Sequence, residues 1–177
     1  MHRRAFLAAG AAAVGAASAG CLGRATAESG YDVAMVSDAF VPQTTAEVPA
    51  DAPYWVPRDV PTVEVSVGDE VVWENTGARN HTVTAATQRH SEVEDLLGVS
   101  SGHSHGVFFP EGATYFSSGD FPNEVAAARS FVEELNGGGA IAPGERYAHA
   151  FETAGWYHYF CIPHLPAGMM GNVHVVE

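Results

Sequence analysis

Three side chains able to bind a soft metal ion fall within nine residues near the end of the chain: the Cys161 thiolate, the His164 imidazole and the Met169 thioether. They stand in Tyr159-Phe160-Cys161-Ile162-Pro163-His164-Leu165-Pro166-Ala167-Gly168-Met169, an aromatic strand running into a proline-framed loop that can fold all three donors around one ion. A second imidazole, His81, lies far upstream at the start of another strand, and adjacent strands of a sandwich can bring it to the same end. Two His and one Cys in a trigonal plane with a weak axial Met form the ligand set of a blue-copper centre. Taken singly, Met169 would be core filler, His81 a turn histidine and Cys161 a buried thiol or a partner for Cys21. Zinc accepts the same His and Cys donors, so the donor types leave the metal open at this point.

These residues need short strands to carry them, and the sequence supplies such strands. Tyr31 to Val36, Thr62 to Val67 and Glu70 to Glu74 alternate apolar and polar residues, with Gly68-Asp69 and Asn75-Thr76-Gly77 as turns. Asn80 to Ala86, Glu145 to Phe151, Trp156 to Cys161 and Asn172 to Val176 are further strands. Residues 38–61 hold five of the ten prolines and are expected to form a long irregular connection. Between Pro122 and Asn136, Val125, Ala128, Phe131, Val132 and Leu135 recur at helical spacing behind Asn123 as a cap, and Gly137-Gly138-Gly139 ends that helix. The expected architecture is an all-β, Greek-key sandwich with one short inserted helix. Trp73, Trp156, Phe151 and Tyr157 are expected in or beside its core, whereas His149, His158 and His174 are expected to face solvent.

Composition narrows the function. The 177 residues carry 21 acidic side chains against eight arginines and no lysine, a net charge of −13, which repels nucleic acid. Two cysteines cannot staple a chain of this length, so folding rests on an apolar core. The start of the chain is an address: Arg3 and Arg4 precede an unbroken small and apolar run from Ala5 to Ala19, the pattern of an export signal over residues 1–20. Arg3-Arg4-Ala5-Phe6-Leu7 resembles the twin-arginine motif, and Ser18-Ala19-Gly20-Cys21 resembles a lipobox in which Cys21 becomes the lipidated first residue. The alternative is a plain secretory signal cut near Ala19. Removal of residues 1–20 takes away two arginines and no acid, leaving −15, with residues 21–30 as a linker to a single domain over 31–177.

Cys-x-x-His-x-x-x-x-Met before a final strand, with an aromatic strand ahead of it and a distant His, resembles the cupredoxin family. Within it, Gly155 to His164 and Gly168-Met169-Met170-Gly171 resemble plastocyanin, and the acidic, lysine-free, lipobox-bearing chain is similar to the halocyanins, plastocyanin-like proteins of halophilic archaea. The likeness covers residues 62–86 and 143–177. It implies one type 1 copper per chain, held by His81, Cys161, His164 and axial Met169. It also implies a monomeric, non-enzymatic electron carrier that serves redox proteins of a membrane chain from the outer face of the cytoplasmic membrane. His164 would be the exposed edge where electrons pass, ringed by an apolar docking patch of Leu165, Pro166, Ala167 and Met170. Two departures stand out: Thr82 follows His81 where plastocyanins place an asparagine that braces the Cys loop, and residues 87–140 contain an insertion.

Two other functions stand beside this one: copper storage or delivery, and a small copper enzyme. Soft ligands also suit copper storage or delivery. His103-Ser104-His105, with His90 upstream, is a His-x-His pair of the kind found in copper oxidases, although a trinuclear cluster needs several such pairs.

Overall fold

The computed structural model describes residues 30–100, 109–134 and 136–177. Arg3, Arg4, Cys21, His103 and His105 therefore lie outside the described residues. Among the described residues eight strands form two four-stranded sheets. One sheet has the order β2 (Ala39–Pro42), β1 (Val33–Val36), β4 (Glu70–Asn75), β6 (Arg146–Ala150). The other has the order β3 (Thr62–Ser66), β8 (Met170–Val176), β7 (Gly155–Phe160), β5 (Thr84–Ala85). β1 runs parallel to β4 and β3 parallel to β8, while the other pairings are antiparallel. The expected all-β sandwich is present. Among the described residues no helix is long and apolar enough to cross a membrane.

Alternation places the site. Along β7, Tyr157 and Tyr159 point between the sheets and pack with Trp73, Phe116 and Val173; Cys161, just past the strand, and Met169, just before β8, continue that inner row. Phe160 and Met170 point the other way, into a second core with Ala86, Val93, Ala127, Ala128, Ile162 and Leu165. Two helices cover that outer face, α1 (His90–Leu97) and α2 (Glu124–Glu133).

Four expectations of the sequence are corrected here. Among the described residues there are two α-helices, not one: α1 is a short helix whose apolar Val93, Leu96 and Leu97 pack into the second core. The connection 38–61 is not wholly irregular, because Ala39–Pro42 pairs with β1 before the remaining prolines begin. Of the strand expected over 80–86, only Thr84–Ala85 joins a sheet. The backbone upstream bonds to loops instead: His81 exchanges both hydrogen bonds with Ile141, and Ser118 N–H donates to the Val83 carbonyl at 2.7 Å. Finally, His158 is buried rather than solvent-facing, its Nδ1 2.9 Å from Asn172 Oδ1, because this sheet is covered on both faces.

The end of α2 depends on glycine. A Cβ on Gly137 would collide with the Ser130 backbone, and one on Gly139, where φ is +76°, would collide with the Ser118 carbonyl.

Candidate metal centre

β7 and β8 are joined by a loop that their pairing closes. Phe160 sits opposite Met170, and one rung further Cys161 N–H donates to the Met169 carbonyl at 3.0 Å. Between them Ile162–Ala167 makes 3₁₀ turns, with Pro163 in the first turn and Gly168 at φ +78° ending the last. His164 N–H donates to the Cys161 carbonyl at 3.2 Å, and Met169 N–H to the His164 carbonyl at 3.2 Å. The ring of backbone bonds thus passes through all three candidate ligands of the loop.

His81 is brought in by a different route. Buried Asn75, the last residue of β4, donates from Nδ2 to the carbonyls of Arg79 (2.7 Å) and Ile141 (2.8 Å), fixing the turn ahead of His81. Thr82 then ties this segment to the loop. Its N–H donates to Cys161 Sγ at 3.3 Å, and its Oγ1 accepts from Ile162 N–H at 2.8 Å. The bracing expected of an asparagine is performed by threonine.

The outcome is a compact donor cluster. Cys161 Sγ lies 3.7 Å from His81 Nδ1 and 3.3 Å from His164 Nδ1, and the three donor atoms fall within 4.8 Å of one another. Burial, with help from His164, lowers His81 to a pKa of about 4. Burial also lowers His164, against an opposing pull from Asp38. Burial pushes the Cys161 thiol up to about 11, although hydrogen bonds from Thr82 favour the thiolate. Both imidazoles are therefore neutral at pH 7 with lone pairs free for a metal, and a soft cation must displace the thiol proton. Two imidazole nitrogens and one sulfur converging at this spacing fit a single copper ion.

Met169 is buried in the same cluster of side chains as Cys161. Exposure separates the four residues: His81 and Cys161 are 0% exposed, Met169 1% and His164 9%, so only the His164 ring meets solvent. The apolar patch expected around it is corrected. Pro166 and Ala167 are exposed, but Leu165 and Met170 are buried in the second core beneath α1 and α2.

Sequence reasoning missed two groups near the site. Asp38, in the turn between β1 and β2, places Oδ1 3.6 Å from His164 Nε2 and 3.1 Å from Arg79 Nη1. Nothing in the sequence links these residues, which come from different turns. His90 and Glu124, both buried, meet between the helices with His90 Nδ1 3.4 Å from Glu124 Oε2, and the Thr87 N–H and Oγ1 also bond to Glu124. The His90 ring stands edge-on to Phe160, with centroids 4.7 Å apart, and is thus a structural contact behind Cys161.

Known proteins carry related sequences. The chain is 35% identical over 115 residues to the chloroplastic plastocyanin of Tetradesmus obliquus, an alignment covering 64% of this chain and 54% of that protein. It is 38% identical over 104 residues to the plastocyanin of Scenedesmus fuscus, covering 48% of this chain and 99% of the relative. The chain therefore spans about half the length of the first and nearly all of the second. Among solved structures, a Cu(I) variant of amicyanin is 20% identical, with 85% of this chain and 86% of that one aligned at a TM-score of 0.41. The family model of copper-binding proteins of the plastocyanin/azurin type matches residues 57–176. That match runs through both turns that converge on Cys161 and takes in well over half of the chain, which belongs to the plastocyanin/azurin family of copper-binding proteins.

Proposed function

We propose that this protein is a type 1 copper protein that carries single electrons, and that His81, Cys161, His164 and Met169 would hold its one copper. The observation that carries the proposal is the convergence of two Nδ1 atoms and one Sγ within 4.8 Å. Bound copper supplies the one-electron couple between Cu(I) and Cu(II). The chain's own residues keep the donor geometry fixed through electron gain and loss: the backbone ring from Cys161 to Met169 and the Thr82 brace leave the loop little room to rearrange. Cys161 offers a covalent path into β7. His164, the member of the set with solvent contact, is the port for electrons. Burial of the other three excludes water and limits exchange of the metal.

The leader supports a setting for this activity. An export signal over residues 1–20 and lipidation at Cys21 would hold the single domain at the outer face of the cytoplasmic membrane, within reach of membrane redox proteins. The lysine-free acidic chain suits strong salt, where a Debye length of about 3 Å at 1 M screens its self-repulsion. Halocyanin-like lipoproteins of halophilic archaea combine these features.

Titration of the chain from Cys21 to Glu177 with Cu(II), followed by visible absorption, tests the proposal. One equivalent should give an intense blue or green band that ascorbate bleaches and an oxidant restores. Cys161→Ser should remove the band and leave the sandwich folded. An uncoloured complex, or a band unchanged in Cys161→Ser, would sink the ligand assignment.

A further inference from the structure

A carboxylate and a guanidinium meet at the open edge of the donor cluster, and the backbone brings both there. β1 and β2 are joined by Ser37 and Asp38 alone, with Val36 opposite Ala39 and Ser37 in the left-handed region at φ +50°. The turn ahead of His81 packs on the end of this hairpin: Gly77 N–H donates to the Met35 carbonyl at 3.1 Å, and a Cβ on Gly77 would crowd that same oxygen. The contact lets Arg79 Nη1 reach Asp38 Oδ1 at 3.1 Å. The same oxygen lies 3.6 Å from His164 Nε2, too far for a hydrogen bond but near enough for its charge to act on the ring. The other ring nitrogen, Nδ1, faces Cys161 Sγ at 3.3 Å. A metal taken up on Nδ1 leaves the ring proton on Nε2, the nitrogen beside the carboxylate.

We propose that Asp38 sets the reduction potential of the electron carrier by acting through the His164 ring, favouring the oxidised site over the reduced one. The inference rests on the electron-carrier function above and adds the residue that tunes it. In the exchange the site gains or loses one electron and nothing else, so its oxidised form carries one more positive charge. A carboxylate against the ligand ring therefore stabilises the oxidised form more than the reduced. Arg79 holds Asp38 at the ring and offsets part of its charge. The offset is incomplete, because Arg79 is the more exposed partner, with 65% of its side chain open against 47%, and water screens it more. Asp38 is thus a positioning residue, outside the ligand set but in contact with the ligand that meets solvent.

Voltammetry and metal competition on the chain from Cys21 to Glu177 test the proposal at 0.1 M salt, where the Debye length is about 10 Å. Asp38→Asn should lower the affinity for Cu(II) relative to Cu(I) about three- to tenfold, which raises the potential by about 30–60 mV at 59 mV per factor of ten. Asp38→Glu, which keeps the charge, should recover at least half of that shift. Zinc(II) accepts the same His and Cys donors without cycling and gives a second readout. Its affinity, measured against a competing chelator, should also fall about three- to tenfold in Asp38→Asn, whereas affinity for Cu(I) should change less than about twofold, because zinc(II) brings one more charge. An unchanged or lower potential in Asp38→Asn would overturn the proposal. Equal losses for zinc(II) and Cu(I) would do the same and leave Asp38 a prop for the loop. No recovery in Asp38→Glu would deny the charge its role. Failure of the electron-carrier function looks different: the parent protein would then show no reversible copper couple, whatever the zinc affinity of its variants.

Discussion

Thr82 joins two parts of the chain that must stay together for the donors to converge, and Thr82→Val isolates what it contributes. Valine keeps the branched shape but replaces the hydroxyl with a methyl, so Ile162 N–H loses the acceptor now 2.8 Å away. Both residues are buried, and water cannot substitute. A buried donor left unpaired costs about 1–3 kcal/mol. For a domain of this size about 2–4 °C of melting temperature accompanies each kcal/mol, so Tm should fall by about 2–12 °C. The comparison belongs in the metal-free protein, because a bound ion adds its own stabilisation to the folded state. Thr82→Ser provides the control: it keeps the oxygen and loses one methyl, worth about 0.8 kcal/mol. Thermal unfolding followed by the fluorescence of buried Trp73 reads the difference. A valine variant that melts within 1 °C of the parent, or a serine variant hurt more than the valine, would refute the brace.

Three further outcomes follow from the same geometry. With Cys161 raised to about 11 and His81 lowered to about 4, only the thiol holds a proton at pH 7, so metal uptake should release about one proton per ion. Affinity then rises about tenfold per pH unit through the neutral range, which calorimetry in buffers of different ionisation heat can check; two protons released, or none, would contradict the protonation states. Met169→Leu should keep the colour and raise the reduction potential, since a weak donor to Cu(II) is lost, and voltammetry showing a fall would exclude Met169 as the axial ligand. Glu124→Ala strips a buried acceptor from the Thr87 N–H and from His90, and urea unfolding should show a loss of about 1–3 kcal/mol; no measurable loss would mean that the two helices do not depend on this contact.

How much of this was legible in the sequence depends on the kind of information each feature needs. The four main strands, β3, β4, β7 and β8, were readable within two residues because alternation is a local property. The convergence of His81, Cys161 and His164 was readable because the loop packs its donors into a few residues and few chemistries use that set. Local alternation does not reveal what covers a sheet. Leu165 and Met170 were expected at the surface because the family resemblance implies an apolar patch there, and His158 because a strand histidine faces solvent by default; here α1, α2 and the segment at Pro57 cover that face. Helix α1 was hidden because three apolar residues in eight make a faint pattern, and packing against α2 supplies the rest.

The same covering decides how the copper end can be used. Phe160, the residue joined to Cys161 along β7, is fully buried against His90, so a path from the sulfur through its chain neighbour ends inside protein. Met170, on the opposite strand, is closed off in the same way. What remains open is the His164 edge, with Asp38 beside it. Helices α1 and α2 thus withdraw the apolar side chains of Leu165 and Met170 from the surface around the port.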